Sequence, residues 1–495
     1  MYMQSGIIYM SQDNLKSKTI KGAGWSAADA FLAQGVSFII GLVLARLLSP
    51  EEYGLIGLVM IFVTVLNSVV DCGFSTAVIR KQDANDDDYN TMFYTNMMFS
   101  IILYACLSLS SPLIANFFER NELIQLVPAM GLILIINALS LTQQTILIKR
   151  IDFKTKTKAS LLSSVISGII GIICAYSGLG VWSLVVQKLL QQILYTCSLW
   201  ILNKWWPSFR FSIDSFHYMW GFGWKMLLSG LLNRIWQQIY QLVVGKFYNP
   251  ATLGQYTRAR DYANIFSSNL TTIVQRVSYP ALAGIQDDQE RMVAAYRKVI
   301  KVTMFVTAIC MLSIGAVSEP LIVCLIGEKW LEASTYLPLI CISMSLYPLH
   351  AINLNMLQVQ GRSDIFLYLE IIKKIIAILP ISLGIFVGIK AMLIGSIFTG
   401  IIAYFLNSYY TGKKLHYSSW MQLNDIKHSY FIALIIALGI YFLKYLPISY
   451  FAILPIQILI AVAIFFAICE ISKPSEYLEI KSIITKAIQK KKNQQ

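Results

Sequence analysis

The chain has 495 residues, of which 56% are apolar and only 13% charged, about half the charged share of a soluble domain. A soluble fold of this size could not bury so much apolar surface and still keep a polar skin, which excludes a soluble enzyme and a disordered chain. The formal charge of +14 is then expected from basic residues held on one side of a membrane, and no nucleic-acid partner is expected.

Residues 1–21 are too polar to be the apolar core of a signal peptide and read as a cytoplasmic N-terminal segment. Apolar runs long enough for a spanning helix of ~20 residues then follow one another to residue 471. The first six lie near 22–47, 52–78, 91–115, 122–148, 159–178 and 181–202. Asp29 lies ~10 Å into the first by helix rise. An acid there is a candidate for ion coupling, taking up a proton or binding sodium. The sixth run carries Gln187, Lys188, Gln191 and Gln192, continued by Tyr195.

Residues 203–216, with Trp205 and Trp206, read as a cytoplasmic connector whose Trp pair suits the headgroup layer. Six further runs lie near 217–246, 252–282, 294–318, 331–359, 364–387 and 390–411. In the seventh, Arg234, Gln237 and Gln241 fall on one helical face at i, i+3 and i+7, with Gln238 beside them and Asn233 at the border. The eighth holds Arg258, Arg260 and Asp261, and the eleventh holds Glu370, Lys373 and Lys374. Two more runs, near 427–445 and 449–471, precede a basic tail at 472–495. In that tail Ile480, Ile483, Ile484 and Ile488 keep helical spacing among lysines, as in a helix lying on anionic lipid or in a solvated tail. The runs are too long and too uniform for a β-barrel. They predict an all-α integral membrane protein of about fourteen helices.

The chain also repeats itself. Ala45-Arg46-x-x-Ser49-Pro50-x-x-x-Gly54 recurs as Gly245-Lys246-x-x-Asn249-Pro250-x-x-x-Gly254. Gly24-Trp25 recurs as Gly223-Trp224, Asp86-Asp87-Asp88 as Asp287-Asp288, Pro128 as Pro338 and Gly178 as Gly388. The order and near-constant offset imply two six-helix lobes, 22–202 and 217–411, related by a pseudo-two-fold axis along the membrane normal. The helices at 412–471 are then an added pair. Lys and Arg crowd into alternate loops on the side that holds both ends of the chain, which is therefore expected to be the cytoplasm.

A charge in hydrocarbon costs at least ~2.5–3.5 kcal/mol, so an intramembrane Arg or Lys should face water or a partner. One reading of Lys188, Arg234, Gln237, Gln241, Arg258, Arg260, Lys373 and Lys374 is a wet cationic cavity that accepts an anionic head group, since the Arg fork suits phosphate oxygens. The other is internal pairing, such as Arg258 with Asp261, or snorkelling to the interface. The eight cysteines form no CxxC pair and the four histidines are scattered, so no metal site is expected.

Four stretches resemble a known family: Gly24-Trp25-Ser26, Ala45-Arg46-x-Leu48-x-Pro50-x-x-Tyr53-Gly54, Gly180-Val181-Trp182-Ser183-Leu184-Val185 and Leu253-Gly254-x-Tyr256-x-Arg258-Ala259. They are similar to those of Wzx-type polysaccharide flippases, a branch of the multidrug/oligosaccharidyl-lipid/polysaccharide (MOP) exporter superfamily that includes MATE- and MurJ-like proteins. The resemblance implies a V-shaped fourteen-helix transporter of the bacterial cytoplasmic membrane. Its cargo would be an undecaprenyl-diphosphate-linked oligosaccharide carried between leaflets by alternating access, with no cofactor and no covalent chemistry. It also implies membrane lipid and polysaccharide assembly proteins as partners, and a monomer. Two alternatives stay open at this point: an ion-coupled multidrug exporter of the same fold, and a membrane polysaccharide polymerase or ligase.

Overall fold

The computed structural model describes residue 32 and residues 34–285, 288–359 and 362–492. Asp29, Gly24-Trp25-Ser26 and the 1–21 segment lie outside the described residues. Every regular element among the described residues is helical. Nine stretches there are long and apolar enough to cross a membrane: 50–80, 86–109, 123–149, 153–176, 289–316, 328–357, 389–413, 419–445 and 450–472. The helices that bear the charged stripes, 181–203, 213–247, 250–283 and 363–376, are not among them. In the first three the polar residues that single them out also lower their apolarity, and 363–376, with 14 residues, is too short to cross by itself.

In chain order the first half holds α1 (Gln34–Leu47), α2 (Pro50–Asp71), α3 (Phe74–Arg80), α4 (Asp86–Leu109), α5 (Ser111–Phe118), α6 (Leu123–Lys149), α7 (Phe153–Tyr176), α8 (Val181–Asn203) and α9 (Ile213–Phe247). The second half holds α10 (Pro250–Ala283), α11 (Gln289–Ala316), α12 (Ser318–Ile326), α13 (Leu331–Ser345), α14 (Tyr347–Val359), α15 (Ser363–Ile376), α16 (Ile378–Phe386), α17 (Ile389–Leu415), α18 (Ser419–Tyr441), α19 (Tyr450–Ser472) and α20 (Ser475–Lys492). Several runs that look continuous in sequence are broken. Cys72 and Gly73, both at positive φ, separate α2 from α3. Ser110 with Pro112 separates α4 from α5, and Pro348 lies just past the break between α13 and α14.

The repeated residues are helix punctuation. Ser49 caps α2 and Pro50 follows at its first turn, with the Ser49 backbone N–H donating to Glu52 Oε2 at 2.6 Å. In the copy, Asn249 Oδ1 accepts from the Thr252 backbone N–H at 2.7 Å ahead of Pro250. This is the expected pairing of a short polar cap with Pro where no intrahelical N–H partner is needed. Asp86, Asp87 and Asp88 fill the first turn of α4, and Asp288 caps α11. There the carboxylates meet unpaired N–H groups and the positive end of the helix dipole. Gly178 and Gly388 take positive φ just before α8 and α17, a conformation only glycine adopts freely.

The two copies of the motif also meet. A Cβ on Gly54 would overlap the Pro250 carbonyl, and a Cβ on Gly254 would overlap the Pro50 carbonyl. The starts of α2 and α10 therefore cross backbone to backbone, at a separation open only to glycine.

The chain divides into two compact units, Met1–Gly254 and Gln255–Gln495. In the first, α9 packs on α2 and α3: Phe74 meets the rings of Phe216 and Trp220 at 6.2 and 6.3 Å. The 203–216 connector is tied down in the same unit. Asn90 exchanges hydrogen bonds of 2.8 Å with Ser208, and Gln143 Nε2 donates to the Trp205 carbonyl at 2.8 Å. In the second unit α11, α14, α17 and α18 share a core that includes Tyr296, Met304, Leu349, Met356 and Tyr404. At one end Arg297 forks onto Asp425 at 2.8 and 2.9 Å, and Tyr417 donates to the same carboxylate at 2.8 Å.

The tail is helical, as α20. Its first turns dock: Tyr477 and Ile480 pack with Phe305, Ile432 and Cys469. Lys298 pairs with Glu479. Lys481 donates to Glu470 at 2.6 Å, a hydrogen bond that lifts its ammonium above the ordinary lysine range. The side chains of Ile483, Ile484, Lys486, Ala487, Ile488 and Lys490 onward lie outside the described residues.

Substituting Gly54→Val should overpack the crossing by roughly 1–3 kcal/mol or more. A clear fall in melting temperature of the detergent-solubilised protein is the expected result. Gly221→Ala, which has open space around it, should leave that temperature unchanged or slightly raised.

Candidate functional site

The charged and amide residues singled out from the sequence divide between the two units. Lys188, Arg234, Gln237 and Gln241 belong to the first, and Arg258, Arg260, Lys373 and Lys374 to the second. On α9 the stripe changes partner along its length. Arg234 and Gln237 are exposed, whereas Gln241 is buried and donates its Nε2 to the Gly57 carbonyl of α2 at 3.2 Å. Gln241 therefore locks α9 to α2, and Arg234 and Gln237 keep an open face. Arg234 forms no hydrogen bond or ion pair among the described residues.

On α8 Gln187 is buried and the rest of the stripe half-buried. Gln191 Nε2 donates to Ser164 Oγ on α7 at 3.0 Å, and Gln192 Nε2 donates to Asn137 Oδ1 on α6 at 3.3 Å. Lys188 lies one turn away from Gln192, also half-buried. In the second unit Arg258 stands 3.8 Å from Asp261, one turn along α10. Lys373 pairs with Glu370 on α15, and Lys374 is half-buried. Of the two readings of Arg258, the ion pair with Asp261 is thus present, and Lys373 is paired in the same way along its own helix. An i,i+3 pair with a half-exposed acid neutralises charge only partly, because water screens it.

Sequence reasoning missed two polar groups. The first joins α2, α6 and α8. Asn137 Nδ2 donates to Asn67 Oδ1 at 3.1 Å, Ser140 Oγ donates to the Asn137 carbonyl at 2.8 Å, and Gln144 Nε2 donates to Ser140 Oγ at 2.9 Å. With Gln192 these make a ladder along one face of the first unit. The spacing of Asn137, Ser140 and Gln144 at i, i+3 and i+7 was its only sequence signal. The second lies in the other unit. Tyr296 donates to Asn353 Oδ1 at 2.9 Å, Asn353 Nδ2 donates to Gln422 Oε1 at 3.1 Å, and His350 Nδ1 lies 3.3 Å from Asn407 Nδ2. Among the described residues no group of three or more His, Cys, Asp or Glu side chains could hold a metal ion.

Comparison with known proteins places this architecture. Residues 43–335 match the model of a family described as polysaccharide biosynthesis protein. Teichuronic acid biosynthesis protein TuaB of Bacillus subtilis (strain 168) is 26% identical over 357 residues, 72% of this chain and 74% of that protein. Succinoglycan biosynthesis transport protein ExoT of Rhizobium meliloti (strain 1021) is 24% identical over 330 residues, 66% of this chain and 67% of that protein. Among solved structures, the lipid II flippase MurJ in an inward closed conformation superposes with a TM-score of 0.71 at 18% identity, over 91% of this chain and 98% of that one. At that identity the likeness is one of fold, an all-α multi-pass membrane architecture.

If the exposed stretch of α9 is wet, cysteine introduced at Arg234 or Gln237 should react with a membrane-impermeant thiol reagent. In a background with the eight native cysteines replaced, Arg234→Cys and Gln237→Cys should label on the order of tenfold faster than Gln241→Cys. Equal, slow labelling at all three positions would place this stretch against lipid.

Proposed function

The chain belongs to the polysaccharide biosynthesis protein family, and from that premise we propose that it is a flippase for a prenyl-diphosphate-linked oligosaccharide. The observation that carries the reading is the placement of basic and amide side chains on α8, α9 and α10, each long enough to span a membrane. Exposed Arg234 is the foremost case. A lipid-linked sugar has a diphosphate and hydroxyls that cannot cross hydrocarbon, and a tail that cannot leave it. A protein that moves it must offer a wet polar face to the head while the tail stays in lipid. It makes and breaks no covalent bond.

In this reading Arg234 and Lys188 attract the diphosphate, with Gln237 beside them and Gln241 holding α9 in place. Arg258, Arg260, Lys373 and Lys374 are assigned to the same anion-binding role. Arg258 and Lys373 would exchange their carboxylate partners for phosphate as cargo arrives. Such an exchange suits binding that must be reversible, since a permanently satisfied pair offers nothing and a bare charge holds too tightly. Alternating access then presents the head group to one leaflet and next to the other.

The crowding of Lys and Arg in alternate loops supports a cytoplasmic position for both termini by the positive-inside rule, and the polypeptide is proposed to act as a monomer in the bacterial inner membrane. Asp29 is the candidate for coupling to a proton or sodium gradient. Polysaccharide assembly proteins are the candidate partners at the receiving leaflet. A drug exporter for organic cations would need acidic rather than basic groups on the same faces, so the excess of Arg and Lys favours the anionic cargo.

Arg234→Ala should insert and accumulate normally but lower leaflet exchange of lipid-linked oligosaccharide in proteoliposomes by roughly ten- to a hundredfold, the worth of one charge-assisted contact. Wild-type rates in that variant would remove Arg234 from the substrate path. Asp29→Asn should abolish the response of exchange to an imposed proton or sodium gradient. A response unchanged under both gradients would dismiss Asp29 as the coupling group.

A further inference from the structure

The amide ladder of the first unit differs in kind from the polar cluster of the second. Tyr296, Asn353 and Gln422 are each fully buried and bond to one another. That is how polar side chains glue helices together in a membrane, with no spare groups facing outward. Asn67, Asn137, Gln144 and Gln192 are instead half-buried. Their mutual bonds use only part of their capacity. Asn67 Nδ2, Gln144 Oε1 and Gln192 Oε1 have no partner among the described residues, although each amide carries two donors and two acceptor sites. Helix glue has no use for such outward groups, and in hydrocarbon each would cost several kcal/mol unless something polar met it.

Depth brings two rungs of the ladder near mid-helix, with Gln144 ~7.5 Å from the Lys149 end of α6. Asn137 is ~18 Å from the Lys149 end of α6, and Gln192 is ~16 Å from the Asn203 end of α8, at ~1.5 Å per residue. Lys188 sits one turn further from that same end. Asp71 lies one turn beyond Asn67 on α2, where its carboxylate accepts from Ser75. The face therefore runs from a cation through neutral amides to an acid. An anion is welcome at its Lys188 end, whereas its Asp71 end offers no cation. Neutral groups that both donate and accept are what the middle can hold.

We propose that Asn67, Asn137, Gln144 and Gln192, held in line by buried Ser140, form a subsite for sugar hydroxyls, which selects the glycan of the cargo while the cations take its diphosphate. The proposal rests on the flippase reading above and adds to it a division of labour. A hydroxyl is itself a donor and an acceptor, so it can meet the spare atoms of Asn67, Gln144 or Gln192 alike. Because the amides carry no charge, losing one should weaken glycan recognition without altering attraction for phosphate.

The test uses the purified full-length protein and two probes. One is undecaprenyl diphosphate. The other is the lipid-linked oligosaccharide pool extracted from the native host after deletion of this transporter, so that the sugar is the right one. Wild type should bind the glycan-bearing lipid at least roughly tenfold more tightly than the bare diphosphate, a difference of about 1.4 kcal/mol. Asn137→Ala and Gln144→Ala should each cut that preference by roughly fivefold or more, with undecaprenyl diphosphate affinity within about twofold of wild type, as expected for lost neutral hydrogen bonds. Gln144 ends the ladder and bonds only to Ser140, so Gln144→Ala carries the test if Asn137→Ala fails to fold. An unchanged preference, or an equal loss of affinity for both probes, would make the ladder structural and overturn the proposal. Wild type binding undecaprenyl diphosphate with no preference for the glycan-bearing lipid overturns the subsite alone. Wild type binding neither probe overturns the flippase reading, and the subsite falls with it.

Discussion

Hydrocarbon offers a polar group no partner, and that constraint shapes every part of this molecule. Backbone amides meet it by forming helices throughout the described residues. Side chains meet it in three ways. Some close on themselves, as Tyr296, Asn353 and Gln422 do. Some pair with a nearby opposite charge, as Arg258 with Asp261 and Lys373 with Glu370. Others, such as Arg234 and the outer atoms of the amide ladder, have no hydrogen-bond or ion-pair partner among the described residues, and the proposals above assign them to water or cargo. The first class holds the fold together, and the proposed transport role falls to the other two.

The same physics explains why the repeat motif has its particular residues. Helix ends expose N–H groups, so Ser49 and Asn249 supply side-chain acceptors and Pro50 and Pro250 remove a donor that has no use. Gly54 and Gly254 then let the two helix starts touch backbone to backbone. Lipid is as apolar as any core side chain, so close packing rather than water exclusion brings membrane helices together. A crossing at glycine distance supplies such packing, and each member of the motif serves either the cap or the crossing.

Gln241 shows how a single sequence pattern can hold two roles. It shares a helical face with Arg234 and Gln237, yet it is spent on the Gly57 carbonyl while they stay exposed. The neighbour decides: the Gly57 carbonyl of α2 lies within reach of Gln241. The connector offers a similar case. Its Trp pair suits a headgroup layer, and the same segment is tethered through Asn90, Ser208 and Gln143.

The order of apolar runs, their polar punctuation, the internal repeat and the charged stripes were all legible in the linear chain. Each depends on local composition and helical periodicity, which need no knowledge of what lies alongside. The breaks at Cys72–Gly73 and within 331–359 were less legible, because an apolar run stays apolar across a kink. The ladder through Asn67, Asn137 and Gln192, the reciprocal meeting of Gly54 with Pro250 and Gly254 with Pro50, and the bond from Gln241 to α2 were decided only by tertiary structure. Each joins residues distant in the chain, and which half-polar face meets which neighbour depends on the packing of whole helices.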